Sequence, residues 1–473
     1  MIRNEYKIFL TLVLTLAALS CSSSGEGKRS NPFDDNGKPP VLASYSSNAD
    51  TVFLNWELQE TNDFDSFLVT DQFGKNKLEL DNDATSCFVT HIPYNQNCTI
   101  SIGLVSNGEI ITRTDVIVHI NGFDSNISSE IMPDEGSVTE GDGMYSIYLG
   151  NEKSLFLMGD SYTGRVYNGK RVSGNHMYRN SYSVFNHETR SSYPMCNEKG
   201  ANTSAAVPDG VTDESQKWYW PGHGFVADNK LYIFQFLMFK GAGPEGWNFH
   251  YEKTHILQYD LPNLNLIPER SSEIPFSATV PQTPSAEKPE IHFGAAALND
   301  IDNTGYLYIY AQVDIENDID PVTEAYVART TLNNLFTQWE YYNGSTWVTD
   351  ESSAKGMSGL SSVPISSQFN VFRLNGKYVL IAQNKTFNNG EIYTFTSDSP
   401  WGPWGHKKLI YKVPDLGNKN WYSYNAMAHP QFEKSGMILI TFNVNTSDFS
   451  EQSSNVESYR PRFVWIDKSL ILN

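Results

Sequence analysis

A repeated hairpin constrains this chain more than any other feature. Five times between residues 122 and 473 a short strand, a tight turn and a second apolar strand recur. Residues 141–148 turn at Asn151-Glu152-Lys153 into 154–160, and residues 223–227 turn at Asp228-Asn229 into 231–234. Residues 293–298 lead into 305–310, residues 369–374 turn at Asn375-Gly376 into 378–381, and residues 425–430 lead into 437–442. A third strand follows each hairpin, at 181–185, 255–259, 325–328, 392–396 and 462–466. Asn, Asp and Gly tolerate the left-handed backbone that two-residue hairpin loops require. The repeats begin near residues 142, 223, 293, 369 and 425. Meandering sheets at that period specify a five-bladed β-propeller over 122–473. Two stacked sandwiches would not repeat one hairpin order five times. No helical periodicity of about a dozen residues survives outside the amino-terminal leader.

Residues 38–121 follow a different regime, with short strands and frequent turn signals. Strand-like runs pass through Val52-Phe53-Leu54, Phe67-Leu68-Val69, Leu78, Cys87-Phe88-Val89, Cys98 and Val116. Some seven strands in so short a stretch fit a sandwich. Trp56 stands where a fibronectin type III-like sandwich keeps its core Trp. Ile92-Pro93-Tyr94-Asn95-Gln96-Asn97-Cys98 resembles the turn into that fold's penultimate strand, with Cys98 at the tyrosine-corner position. The resemblance implies an all-β chain, a fibronectin/Ig-like sandwich followed by the propeller. The sandwich is expected to be a spacer, with glycan binding as the alternative.

Arg3 and Lys7 precede an apolar run over 8–19, too short to span a bilayer and suited to a signal peptide. Leu16-Ala17-Ala18-Leu19-Ser20-Cys21 resembles a bacterial lipobox. That resemblance implies cleavage after residue 20, lipidation of Cys21 and export to the outer membrane or cell surface. The polar stretch 21–37 reads as a flexible tether. No later run reaches the roughly 18 apolar residues of a spanning helix, so the lipid is the expected membrane anchor. Cys87, Cys98 and Cys196 remain, and an odd count leaves at least one unpaired. A Cys87–Cys98 bridge is open on spacing alone. With 34 Lys and Arg against 54 Asp and Glu, the net charge is −20, which argues against a nucleic-acid partner.

In a propeller the first strand of each blade lines the central channel. Asp142, His223, His292, Gln368 and Asn425 supply about one polar residue per blade at those strand starts. They read either as a wet channel wall or as a ring around one ligand. Asn151 lies midway between Asp142 and Asp160, so these two are near cross-strand neighbours at the open end of the first hairpin. Opposed like charges are costly unless the pair shares a proton, binds a cation or does chemistry. Glycoside hydrolysis needs one protonated and one ionised carboxyl. Turn capping by either Asp is the alternative.

Gly141-Asp142-Gly143-Met144-Tyr145-Ser146-Ile147, followed by Leu155-Phe156-Leu157-Met158-Gly159-Asp160-Ser161-Tyr162, resembles the opening blade of a group of exported bacterial five-bladed propellers. They are similar to the D-arabinan-cleaving endo-arabinofuranases of glycoside hydrolase family 183 and to relatives in gut Bacteroidetes. Arg179-Asn180-Ser181 resembles the group's next element, and Trp220-Pro221-Gly222-His223-Gly224 its second-blade motif, with His223 where Asp is often found. The resemblance implies a carbohydrate-active enzyme with Asp142 and Asp160 as the acid/base pair. Asn180, Trp220, His223, His292, Gln368, Trp421 and Asn425 become the expected substrate contacts. Loop aromatics fit a glycan ligand: Trp218, Tyr219 and Trp220, then Trp401 and Trp404, then Trp421, Tyr422 and Tyr424.

The expected partner is a polysaccharide or oligosaccharide, and the expected state a monomer without cofactor. His223, His292 and His429 could hold a channel cation, but no carboxylate cluster accompanies them, so no metal is expected. A non-catalytic surface glycan-binding protein on the same fold is the alternative reading. Sugar, linkage, endo or exo action and stereochemistry stay open.

Overall fold

The computed structural model describes residues 40–48, 51–59, 63–93, 97–120, 122–195, 203–243, 248–268, 272–276, 291–316, 322–414, 416–434 and 436–472. The leader, Cys21, the tether and Cys196 lie outside the described residues. Two compact units meet in sequence between Phe123 and Asp124.

The first unit is a sandwich of antiparallel strands. These are β1 (Val41–Asn48), β2 (Thr51–Leu58), β3 (Ser66–Asp71), β4 (Lys77–Asp81), β5 (Ser86–Val89), β6 (Asn97–Ser106) and β7 (Glu109–His119). One sheet runs β1-β2-β5 and the other β4-β3-β6-β7. Alternation along β2 buries Val52, Leu54 and Trp56, and Trp56 meets Phe67 of the other sheet edge-on at 5.3 Å. Cys87 on β5 and Cys98 on β6 are buried free thiols, so the bridge that spacing left open is not formed. Burial pushes the Cys87 thiol up to about 12, so it packs as a small apolar group.

The second unit opens with α1 (Ser125–Ile131), then β8 (Glu135–Gly141), β9 (Tyr145–Gly150), β10 (Lys153–Met158), β11 (Ser161–Tyr167), β12 (Lys170–Ser173), β13 (Met177–Tyr178), β14 (Ser181–Asn186) and β15 (Ser191–Met195). Blade one is β9, β10, β14 and β15. Blade two is β16 (Lys217–Ala227), β17 (Lys230–Lys240), β18 (Phe249–Asp260) and β19 (Ser272–Glu273). Blade three is β20 (Ala296–Asp300), β21 (Tyr306–Glu316), β22 (Val322–Thr330), β23 (Glu340–Tyr342) and β24 (Trp347–Val348). Blade four is β25 (Asn370–Leu374), β26 (Lys377–Gln383), β27 (Glu391–Ser397) and β28 (Gly405–Lys412), and blade five is β29 (Trp421–Lys434), β30 (Met437–Thr446) and β31 (Arg462–Asp467).

The blades close a ring. Tyr145, Leu155 and Leu157 of blade one pack with Leu231, Ile233 and Leu257 of blade two. Phe234 of blade two packs with Ile309 and Tyr326 of blade three, and Tyr310 of blade three with Val371 and Leu380 of blade four. Asn370 of blade four donates to the Ala428 carbonyl of blade five at 2.7 Å and accepts from its N–H at 3.1 Å. Phe156 and Phe185 of blade one meet Phe432 and Phe463 of blade five. A fully buried ring such as Phe156 is worth about 3–5 kcal/mol at such a seam. Asp124 ties the start of this unit to its end, accepting from Trp465 Nε1 on β31 at 2.8 Å.

The structure adds a sheet that the hairpin count does not contain. β8, β12 and β13 all pair with β11. Residue 141 therefore ends one sheet, and blade one begins only at Tyr145. The chain passes between the two sheets three times, at residues 142–144, 159–160 and 179–180.

Candidate active site

The first two crossings lie side by side. The β9–β10 ladder pairs Tyr145 with Leu157 and Ser146 with Phe156, and the same register carried outward sets Asp142 against Asp160. Asp142 N–H donates to the Asp160 carbonyl at 3.3 Å, while Gly159 N–H donates to the Asp142 carbonyl at 2.7 Å. Two residues thus oppose one, the pattern of a β-bulge, which bends strands and re-aims side chains. Gly143 (φ 100°) and Met144 (φ 41°) carry the chain through the crossing. A buried, bulky Met in the left-handed region is strained, and such strain persists only where the surroundings impose it. Gly159 leaves room for the carboxyl, since a Cβ there would sit 2.8 Å from Asp142 Oδ1.

The two carboxyls have different partners. Asp160 Oδ1 accepts from Trp220 Nε1 at 2.9 Å, and Asp160 Oδ2 lies 3.2 Å from Arg179 Nη1. The Arg179 guanidinium lies over the Trp218 ring at 4.2 Å, which fixes its plane. Asp142 Oδ2 instead accepts from the Tyr424 hydroxyl at 2.9 Å, and Tyr459 donates to the Asp160 carbonyl at 2.9 Å. Tyr424 precedes a bulge in β29, where Asn425 has φ 51°.

Burial, together with the charge of Asp160, pushes the Asp142 carboxyl up to about 7. Burial also raises Asp160, but Arg179 and the Trp220 N–H pull the other way. The two environments therefore favour the shared proton on Asp142 over Asp160. The Asp160 side chain keeps 19% of its surface exposed, so solvent and ligand reach it.

Of the remaining expected contacts, Trp220 stands at the pair. Asn425 and Gln368 come together beside Tyr424, with Gln368 N–H donating to Asn425 Oδ1 at 3.4 Å. Gln368 Oε1 is buried without a hydrogen-bond partner among the described residues. Trp421, half-buried on β29, donates to Glu451 at 3.1 Å. His292 stacks near Tyr251 at 4.0 Å.

Asn180 is a correction. It is 0% exposed, and its amide is spent on the backbone of Ala206 and Tyr219. Both residues lie in the connection between β13 and β14, where Asn180 turns into the blade and its neighbour Arg179 to the carboxylate. His223 is another. Its Nδ1 accepts from Ala297 N–H at 3.2 Å and its Nε2 donates to the Ser146 carbonyl at 3.3 Å, so it braces three blades. Burial lowers it to about 4 and keeps it neutral. Trp218, Tyr219 and Trp404 are buried, and Trp401 packs on Tyr308 and Trp347, so these rings belong to the core.

Among the described residues no group of three or more His, Cys, Asp or Glu is placed to share a metal ion. His429 is fully buried between Ser146 and Thr441. A cavity of about 660 Å³ lies beside the added sheet, lined by Ser137, Arg165 and Tyr178 among others, and one of about 460 Å³ is lined by Lys217, His255 and Glu273 among others. Neither includes Asp142 or Asp160.

No curated protein matches the chain. A solved structure described as a candidate hydrolase from Bacteroides ovatus superposes with a TM-score of 0.57 at 18% identity, over 73% of this chain and 90% of that one. A compost-metagenome family 43 β-xylosidase/α-arabinofuranosidase, solved with xylotriose, gives 0.41 at 14% identity over 71% and 93%. An exo-1,5-α-L-arabinanase from a bovine ruminal metagenomic library gives 0.37 at 10% identity over 70% and 94%. From residue 133 to residue 468 the chain matches the model of the domain of unknown function DUF5005, a span holding all five blades and both carboxylates, and the chain belongs to that family.

Proposed function

We propose that this protein is a glycoside hydrolase in which Asp142 is the general acid and Asp160 the base or nucleophile. The observation that carries this reading is the pairing of two opposed carboxyls in unlike environments. Asp160 faces a guanidinium and an indole N–H, and Asp142 faces a tyrosine hydroxyl. Environments that push two carboxyls apart assign their acid and base roles. Asp142 would protonate the departing glycosidic oxygen, while Asp160 attacks the anomeric carbon or activates a water. The fold is one that glycoside hydrolases use, and the opening-blade resemblance favours arabinan-type substrates. The test is release of reducing ends from arabinan, arabinoxylan, xylan and levan by the purified protein. Binding without release would favour the non-catalytic glycan-binding alternative.

Gly159→Ala probes the geometry without touching a carboxyl. The new Cβ meets the end of a flexible side chain, so Asp142 yields and the backbone holds. Turnover is expected to fall on the order of 10²-fold, as for an ångström-scale misplacement, with a near wild-type melt. Retained turnover would show that the Asp142 position is unimportant.

The reading includes a lipid-anchored, monomeric protein whose sandwich and tether hold the propeller off the membrane. No helix among the described residues is long and apolar enough to cross a bilayer. Cys21→Ala is expected to move the protein from the membrane fraction to the soluble exported fraction. Unchanged membrane association in fractionated cells would refute the anchor.

A further inference from the structure

Phe387 is 66% exposed on the turn between β26 and β27, where a large apolar ring gains nothing by facing water. It is not isolated. Its centroid lies 5.5 Å from that of Tyr422, and Tyr422 lies 5.7 Å from Tyr424. Tyr424 is the residue whose hydroxyl holds Asp142. Three rings thus step from solvent to the acid carboxyl, each step comparable to a sugar ring.

The turn that presents Phe387 is braced. Lys385 Nζ pairs with both carboxylate oxygens of Asp314 on blade three, at 2.5 and 2.6 Å. Lys385 N–H donates to the Pro364 carbonyl at 2.9 Å, and Asn389 N–H to the Thr386 carbonyl at 3.0 Å. A ring held out on a fixed turn is a preorganised contact, with little ordering cost on binding.

We propose that Phe387, Tyr422 and Tyr424 form a stacking ladder that seats successive sugars of a glycan chain on one side of the cleaved bond. This deepens the hydrolase reading and rests on it. The ladder selects chains of at least three sugars over disaccharides, because a disaccharide at Asp142 does not reach Phe387. Stacked C–H faces supply the affinity, so the ladder tolerates variation in sugar hydroxyls.

The test measures kcat/KM for a series from disaccharide to hexasaccharide, drawn from whichever of arabinan or xylan is cleaved. Phe387→Ala is expected to lower the preference for the longest over the shortest member by roughly 5- to 20-fold, through KM. Phe387→Trp should retain that preference. Tyr167→Ala, which removes a ring 63% exposed on β11, should leave it unchanged. An unaltered length preference in Phe387→Ala overturns the ladder and leaves the hydrolase reading standing. If the wild type cleaves none of the glycans, the hydrolase reading fails, and retardation in gels containing arabinan or xylan decides the ladder. Loss of retardation in Phe387→Ala then supports it, and equal retardation overturns it.

Discussion

Asp142→Asn is expected to cut turnover on a natural glycan by about 10²–10⁴-fold and, at pH 8, to make the protein more stable. The two effects share one cause. Burial and the neighbouring Asp160 hold the Asp142 carboxyl at about 7, against an ordinary value of 3.8. A carboxyl raised by folding takes up a proton on folding between those two values. Its contribution to stability is therefore intact below about pH 4, declines as the pH rises toward 7, and stays lost above it. An amide removes the charge and still accepts from Tyr424. The gain at pH 8 should be roughly 1–2 kcal/mol, discounted because the site is open to solvent, and it should vanish near pH 4. Thermal melts at the two pH values, beside turnover, check this. Lower stability at pH 8 would mean that Asp142 caps its turn structurally. Asp160→Asn should lose turnover as severely without the same stabilisation, because it removes the charge opposite Arg179 and leaves one amide oxygen for two donors, Arg179 and Trp220.

The second large effect is expected at Arg179. With the guanidinium gone, the burial that raises Asp160 is no longer opposed by the nearby positive charge. Arg179→Met should lower kcat/KM at pH 6 by about 10²-fold and move the acid limb of the pH profile upward. The alkaline limb reports the loss of the Asp142 proton, so in the wild type it should fall near pH 7. An Arg179→Met profile that is merely scaled, with both limbs in place, would show that Arg179 acts on binding rather than on Asp160.

The blades were legible because three of the five hairpins state their own register in a tight turn and the other two repeat the same strand order. Asn151, Asp228-Asn229 and Asn375-Gly376 all take the positive φ that tight hairpin loops need, and each is flanked by apolar strands. The facing of Asp142 and Asp160 followed from the same counting. The added sheet was not legible. β12 reads Lys-Arg-Val-Ser, and it has no apolar face to announce it. The N-terminal edge strand β1, rich in Ser, was hidden for the same reason.

The partners of the carboxyls were harder still. Tyr424 and Tyr459 lie in blade five and reach blade one only because the ring closes, across 282 residues in the case of Tyr424 and Asp142. Arg179 and Asn180 illustrate a finer limit. The motif marks the approach to β14, but the path of the connection from β13 decides which neighbour meets the site, and that path is held by the Asn180 hydrogen bonds to Ala206 and Tyr219. Likewise Trp218 and Trp220 are two apart and both touch the Asp160 environment, yet one supports Arg179 from the core and the other donates to the carboxylate.

The division of labour between the two carboxyls is tested most directly by changing the leaving group. A dinitrophenyl glycoside of the sugar that the enzyme cleaves departs without protonation, so it dispenses with a general acid but not with a base or nucleophile. Asp142→Asn should be crippled on the glycan yet turn over the dinitrophenyl glycoside within roughly ten-fold of the wild type, while Asp160→Asn should lose both activities. Equal losses on both substrates in both variants, or a spared Asp160→Asn, would contradict the assignment of Asp142 as the acid and Asp160 as its ionised partner.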